Sequence, residues 1–251
     1  LRRREPHLSP DLVGGVYYPE AAFLEPARFL RGLAETARSR GVEIREGVRV
    51  LRVEVGAGRV RGLQCMTAEG PNRGILVSAD AAVLATGPFS RELAGQVGVE
   101  LPVQPGKGYH RDIEIGPDGA PRLRRACVLH ESSVFCTPMD SLVRLAGTME
   151  FSGLNHVMRP ARLRQLTRAA RKAIPDLGPA PPVSEWVGLR PMSVDGIPIV
   201  GPLGDVTGLS VATGHGMLGL TLAPVTGEMT ANLVLAGGDP RLEHLSPSRF
   251  G

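Results

Sequence analysis

The chain has 251 residues, of which 42% are apolar, and this is enough to bury the core of one large domain or two small ones. Its net charge of +4 comes from 29 basic and 25 acidic residues. The only cluster of basic residues visible along the sequence is Arg2, Arg3 and Arg4. Because nucleic-acid binding calls for a clustered basic face, we expect no nucleic-acid partner. No run of about 18 apolar residues is present, so the sequence predicts no membrane-spanning helix.

The cysteines give information about the compartment. Cys65, Cys127 and Cys136 are odd in number and do not have the spacing of metal ligands. We therefore expect a reducing compartment and no metal site.

The first part of the chain is predicted to hold one helix and a meander of short strands. The helix begins at Pro26, carries apolar residues at helical spacing, and ends before Gly41, where a left-handed residue is typical. We predict strands at residues 13–18, 42–44, 48–55, 60–66, 75–78 and 81–84.

The second part is predicted to contain an antiparallel sheet, a helix and a strand–loop–helix unit. Strands are expected at residues 111–115, 126–129, 133–137 and 142–147, with turns at 117–119 and 139–141. A helix is expected at 160–174, a strand at 209–213 and a helix at about 222–235. These elements indicate a mixed α/β (α+β) fold.

One arginine stands out as a candidate binding residue. Arg190 lies between a glycine and a proline in the motif GLRP, residues 188–191. A guanidinium can bind a carboxylate through two parallel hydrogen bonds. The alternative is a structural salt bridge, to Glu185 or to Asp195.

A glycine-spaced loop, GHGMLG at residues 214–219, lies between the predicted strand at 209–213 and the following helix. A helix start of this kind can receive an anion or the polar edge of a cofactor. The loop also satisfies the dinucleotide pattern G-x-G-x-x-G. That interpretation requires a further strand ending in an acidic residue. Asp239 has roughly the right spacing, but Gly237, Gly238 and Pro240 surround it, so we disfavour this interpretation.

The two motifs together resemble a known family. The pattern WxGLRPMxxDGxPIxGP, followed by GLxxATGHGxxGxTxAPxTG, is similar to the C-terminal part of the FAD-dependent amino-acid oxidoreductases, which include D-amino-acid oxidase and glycine oxidase. The segments GLRPM, DGIPIVG and GHGMLGLT most resemble the small subunit of the bacterial D-amino-acid dehydrogenases. The segments VLATG, PGKGY and GTME are also similar to the family, so the resemblance covers most of the chain.

The resemblance implies FAD as the cofactor. The residues to which it gives cofactor contacts are Val48, Ala85, Thr86, Gly87, Gly214, His215, Gly216, Met217, Leu218, Gly219, Leu220 and Thr221. Glycine at such positions lets the backbone approach a ligand closely. For Val48 the alternative is an ordinary residue of the meander. For residues 85–87 it is the end of a strand followed by a turn.

The resemblance also implies the chemistry. Hydride would pass from Cα of the amino acid to N5 of the flavin, leaving an imine that water hydrolyses. Arg190 would hold the substrate carboxylate, and the Tyr109 hydroxyl would lie over the active site. The alternative for Tyr109 is packing within the sheet. Met217 occupies the position of a second substrate-binding arginine in glycine oxidase, which implies an apolar pocket for the substrate side chain.

Two domains follow from the resemblance. Residues 21–104 and 191–238 would form an FAD-binding domain of the glutathione-reductase-like type. Residues 1–20 and 105–190 would form a substrate-binding domain with an antiparallel sheet, and residues 239–251 a tail.

Family members begin with a strand, a glycine-rich turn and a helix that bind the ADP part of FAD, and these are not found here. We therefore expect the FAD-binding domain to be incomplete at its N-terminus, with the missing segment upstream or on a partner chain. This chain alone would then bind FAD weakly or not at all.

The expected function is oxidative deamination of a D-amino acid or a cyclic imino acid, with electrons passed to a quinone or another carrier. One alternative is a glycine or sarcosine oxidase. A second alternative, from another class, is an inactive truncated subunit that no longer binds FAD. We expect a cytoplasmic location, either free or peripheral on the inner face of the membrane.

Overall fold

A computed structural model describes residues 1, 3–67, 74–114, 123–178 and 181–251. Arg2, Ile115 and the predicted turn at 117–119 lie outside the described residues. The α-helices within the described part are α1 (Pro26–Ser39), α2 (Ser90–Gly95), α3 (Pro160–Ala173) and α4 (Gly219–Ala236). The strands there are β1 (Val48–Gly56), β2 (Arg59–Thr67), β3 (Gly74–Ser78), β4 (Ala82–Leu84), β5 (Val103–Glu114), β6 (Cys127–Leu129), β7 (Val134–Met139), β8 (Leu142–Glu150), β9 (Pro182–Ser193), β10 (Ile199–Pro202) and β11 (Leu209–Thr213).

The chain divides into two compact units. The first unit comprises residues 1–31 and 107–189, and the second comprises residues 32–106 and 190–251. Among the helices that the structure describes, none is both long and apolar enough to cross a membrane.

The first unit is built on a five-stranded sheet with strand order β6-β7-β8-β5-β9. The pairs β6–β7, β7–β8 and β8–β5 are antiparallel, as the sequence predicts. Helix α3 contributes Leu163, Leu166 and Ala170 to the core of this unit. Along β7 burial alternates, because successive side chains of a strand point to opposite faces: Val134 is buried and Phe135 is exposed.

The second unit contains two three-stranded sheets. Strands β1, β2 and β3 form the antiparallel meander that the sequence predicts. The other sheet has the order β10-β11-β4, in which β4 runs parallel to β11 and β10 runs antiparallel to it. Buried apolar side chains from both sheets share one core, for example Val53, Val60, Leu84 and Val211.

Helix α1 confirms the prediction made from its boundaries. The Glu25 side chain accepts a hydrogen bond from the backbone N–H of Arg28 at 2.7 Å, which satisfies one of the free donors at the helix start. Gly41, just after the helix, has φ +88°, a left-handed conformation that glycine adopts without strain.

Two predicted strands were wrong. Residues 13–18 and 42–44 are not in strands, and their apolar side chains, such as Val13, Val16 and Val42, are exposed. A short apolar run becomes a strand only where a neighbouring strand pairs with it, and sequence periodicity does not reveal that neighbour. The opposite error affects β9 and β10, which the pattern did not predict.

Candidate functional site

The candidate site lies at the carboxyl ends of the two parallel strands of the second unit, β4 and β11. The Thr213 hydroxyl at the end of β11 donates a hydrogen bond to the carbonyl oxygen of Gly87, just beyond β4, at 2.8 Å. This contact joins the predicted segment 85–87 to the residue that directly precedes the predicted loop 214–219. In open α/β sheets the carboxyl ends of parallel strands are the usual location of ligand sites.

The loop after β11 requires glycine at two positions. Gly214 has φ +76°, and a Cβ there would lie 3.2 Å from the backbone nitrogen of Ile199. Gly216 has φ +54°, and its N–H donates to the carbonyl oxygen of Pro191 at 2.9 Å. A β-bridge between Met192 and His215 adds to this attachment. The GHGMLG loop is therefore fixed directly to the residues that follow Arg190.

Helix α4 begins at Gly219, within the predicted cofactor segment. Its first turn contains no acidic residue, and no side chain in the described part of the chain caps its first N–H groups. The start of a helix carries partial positive charge and free N–H donors. This end of α4 is chemically suited to an anion or to the carbonyl edge of a polar ring.

His215 is held in the neutral form. Its Nε2 atom hydrogen-bonds the Thr226 hydroxyl at 3.0 Å, and burial lowers the pKa of its imidazole below the ordinary value. The contact links the loop to the second turn of α4, so the imidazole serves to hold the loop in place.

Arg190 is a half-buried cation. Burial lowers the pKa of its guanidinium, but an arginine starts from such a high pKa that it stays charged. The two carboxylates considered as its partners in the sequence have other ion pairs: Glu185 pairs with Arg111, and Asp195 pairs with Arg249 at 2.8 Å. The salt-bridge alternative is weakened for these two residues.

The remaining predicted cofactor residues have differing environments. Met217, Leu218, Leu220 and Thr221 are exposed, with Met217 64% exposed. Ala85 and Thr86 are also exposed, and no atom lies within 4 Å of the position that a Cβ on Gly87 would take.

Val48 is in the other sheet of the second unit, at the start of β1. It lines a shallow groove of about 350 Å³ together with Gly47, Arg49, Met66 and Thr67.

Tyr109 lies in the first unit, where it is 1% exposed. Its hydroxyl donates to Glu150 Oε2 at 3.1 Å. Burial, and then the Glu150 carboxylate, raise the pKa of the phenol, so it remains protonated. This environment favours the packing interpretation, and a catalytic role for Tyr109 stays a prediction.

The sequence did not predict the polar network around Glu150. Glu150 accepts a hydrogen bond from the Ser152 hydroxyl at 2.8 Å, and its carboxylate lies 3.6 Å from the buried ammonium of Lys107. Lys107 also donates to Asn155 Oδ1 at 2.6 Å. Both ionic residues lie in motifs that resemble the family, PGKGY and GTME, but neither motif indicates that they meet.

Known proteins that are similar to this chain include members of the family that its motifs resemble. The D-amino acid dehydrogenase of Methylobacterium nodulans is 35% identical over 241 residues, which are 95% of this chain and 55% of the relative. The bifunctional protein ThiO/ThiG of Trichormus variabilis is 32% identical over 252 residues, 100% of this chain and 36% of the relative. The chain thus spans about half the length, or less, of these curated relatives.

Among solved structures, the glycine oxidase of Geobacillus kaustophilus superposes with a TM-score of 0.84 at 27% identity. The match covers 97% of this chain and 63% of that chain. Residues 1–233 match the family described as FAD dependent oxidoreductase. The chain therefore belongs to the FAD dependent oxidoreductase (DAO) family, whose cofactor is FAD.

Proposed function

We propose that the chain forms the substrate and flavin site of an enzyme that oxidatively deaminates a D-amino acid or a cyclic imino acid. The observation that carries this proposal is the direct attachment of the GHGMLG loop to the segment after Arg190, through Gly216 and Pro191. This attachment keeps Arg190, the candidate carboxylate-binding residue, close in the chain to a segment that contacts the candidate cofactor loop. The relatives named D-amino acid dehydrogenase support the choice of substrate.

The residues at the candidate site are compatible with FAD. Gly87 leaves open space where a side chain would project, and the start of α4 offers uncapped N–H donors. In this proposal residues 85–87 and 214–221 contact the cofactor, and Val48 contacts its adenine end. When bound, FAD supplies the acceptor for the hydride that leaves Cα. The partial positive charge at the start of α4 favours negative charge beside it.

Arg190 orients the substrate. Its planar guanidinium binds the carboxylate through two hydrogen bonds and so fixes the direction in which Cα is presented. Met217, which is exposed and uncharged, contributes an apolar surface for the substrate side chain.

The wider assignments belong to the same proposal. The second unit would be the cofactor side, of the glutathione-reductase-like type, and the first unit the substrate side. The electron acceptor would be a quinone or a protein carrier. The location would be the cytoplasm or the inner face of a membrane.

A glycine or sarcosine oxidase is the second candidate, favoured by the 27% identity with a glycine oxidase of known structure. Stopped-flow reoxidation of the reduced flavin separates the two candidates. Fast reaction with oxygen supports an oxidase, and slow reaction with oxygen but fast reaction with a quinone supports a dehydrogenase.

The test of the proposal is substitution of Arg190 in the complete, flavin-loaded form of the protein. Arg190→Lys keeps the charge but loses one charge-assisted hydrogen bond, so we expect kcat/KM for amino acids to fall about ten- to a hundredfold. Arg190→Ala should lose more, whereas turnover of an amine without a carboxylate should change little. Flavin content, read from absorbance, should be the same in all variants.

Arg91→Ala, at an exposed arginine that pairs with Glu100, is the matched control and should behave like the parent protein. Unchanged amino-acid turnover in Arg190→Ala would refute the carboxylate assignment. If the complete protein, with the expected N-terminal segment supplied, retains no flavin under any loading condition, the inactive-subunit alternative is supported instead.

A further inference from the structure

Helix α3 has an unusual charge. Its fourteen residues, PARLRQLTRAARKA, include four arginines and one lysine and no acidic residue, a charge of +5. The net charge of the whole chain is only +4. Apolar residues separate these basic residues along the sequence, so the sequence alone did not show them as a cluster.

The fold collects part of this charge on one surface. The apolar side of α3, with Leu163 and Leu166, is buried in the core of the first unit. Arg164, Arg168 and Arg171 have the spacing i, i+4 and i+7, which places them along one helix face. They line a groove of about 650 Å³ together with Arg111 of β5, Gln165 and Thr167. We call this surface the arginine groove.

The arginines of the arginine groove differ in their contacts. Arg111 is held in place by Glu185 and by the Thr167 hydroxyl, 2.7 Å from its guanidinium. Within the described ranges of the chain, no carboxylate forms an ion pair with Arg164 or Arg168. Some exposed arginines elsewhere in the described part of the chain, such as Arg38 and Arg91, form ion pairs with glutamates, whereas others, such as Arg28 and Arg31, do not.

Neither charge pairing along the helix nor the helix dipole favours Arg164 and Arg168 at their positions. Like charges four residues apart, as at Arg164 and Arg168, destabilise an isolated helix. The helix dipole favours basic residues in the last turn of a helix, which here contains Arg171 and Lys172 but not Arg164 or Arg168.

We propose that the arginine groove binds phosphate groups, either the headgroup of an anionic phospholipid or a soluble phosphorylated molecule. Guanidinium groups bind phosphate oxygens in pairs, and several of them around one recess suit a multiply charged anion. The Gln165 amide adds an uncharged donor. None of these residues belongs to the candidate active site, so this binding is a property separate from the proposed oxidation.

The test compares three proteins: the parent chain, the double variant Arg164→Gln/Arg168→Gln and the double variant Arg28→Gln/Arg31→Gln. The last removes the same charge from another exposed helix surface, on α1. Binding is measured by calorimetry with inorganic pyrophosphate, and by co-sedimentation with phosphatidylcholine vesicles with and without phosphatidylglycerol. We expect the parent and the α1 variant to bind alike, and the groove variant to bind at least about tenfold more weakly.

The two arms identify the source of the phosphate. Binding to pyrophosphate alone indicates a soluble ligand, whereas binding to phosphatidylglycerol vesicles alone indicates a lipid headgroup, and both outcomes support the proposal. Absence of binding in both arms would overturn it. It would also be overturned if the α1 variant lost as much affinity as the groove variant, because net charge alone would then explain the binding. Equal affinity for poly-glutamate would show that phosphate is not the group recognised.

Discussion

At the scale of single residues, Gly214 is the position where the structure most clearly requires glycine. A side chain at this position meets both a left-handed backbone conformation and the neighbouring Ile199 backbone at 3.2 Å. We expect Gly214→Ala to reduce the free energy of unfolding by about 1–3 kcal/mol, mainly from the cost of φ +76°. Urea denaturation followed by circular dichroism measures the change.

Gly219→Ala is the matched control. Gly219 is the first residue of α4, has no left-handed conformation, and an added Cβ would come no closer than 3.8 Å to His215. We expect this substitution to be neutral or to stabilise by up to about 1 kcal/mol. Equal destabilisation by both substitutions would contradict the conformational argument.

The sequence predicts the positions of candidate residues better than their contacts. The glycine spacing of residues 214–219 and the GLRP motif both indicate a site, and the structure joins the loop to the segment after Arg190. The contact between Tyr109 and Glu150 joins residues 41 positions apart. No local pattern encodes a contact at such a separation, so the environment of Tyr109 could not be predicted.

At the scale of elements, Asp112 connects three strands of the first unit. Its carboxylate on β5 accepts two hydrogen bonds from Arg144 of β8, at 2.8 and 2.9 Å, and one from Ser184 of β9 at 2.7 Å. Burial opposes ionisation of Asp112, but these hydrogen bonds outweigh it and hold the pKa of the carboxyl below its ordinary value.

This arrangement predicts a pH dependence of stability. Because the pKa is lower in the folded state, the stabilising contribution is present above the ordinary carboxyl pKa of about 4, and is lost as the pH falls through the lower folded value. Asp112→Asn should lower the free energy of unfolding at pH 7 by about 1.5–3 kcal/mol and flatten its decline in acid. Denaturation curves measured from pH 7 downwards provide the test.

Glu100→Gln is the control for this prediction, since Glu100 is exposed and its pair with Arg91 should contribute about 1 kcal/mol or less. If the stability of Asp112→Asn declined in acid as steeply as that of the parent, the three-strand connection would not be a source of the acid sensitivity.

The sequence predicts some elements far better than others. Helices α1 and α3 carry their own signals, a proline at the start and regular apolar spacing, and they lie within about two residues of their predicted ends. Strand β9 contains Gly188, Arg190 and Pro191, which interrupt any strand pattern, and it exists because β5 pairs with it. Pairing with a distant strand overrides weak local preference, so β9 could not be predicted.

At the scale of the whole molecule, each of the two units has a large hydrophobic core of its own. The core of the first unit includes Leu145 and Leu166, and that of the second includes Leu84 and Val211. Strands β4 and β11 pair in parallel although more than a hundred residues separate them. The resemblance implied only that both segments belong to the cofactor side, so the pairing itself was not predicted. The antiparallel arrangement of β1 to β3 and of β5 to β8 followed from short strands and turns alone.

The path of the chain has a consequence for synthesis on the ribosome. The chain passes between the units after residues 31, 106 and 189, so each unit is assembled from segments far apart in sequence. The first unit has all its residues once Leu189 has left the exit tunnel, whereas the second still lacks residues 190–251, with β10, β11 and α4. We expect nascent chains that are stalled when Leu189 has just left the exit tunnel to resist protease around Leu145 and Leu166 while β1 to β3 are still cleaved. Early protection of β1 to β3 would show that the meander folds before its partners are made.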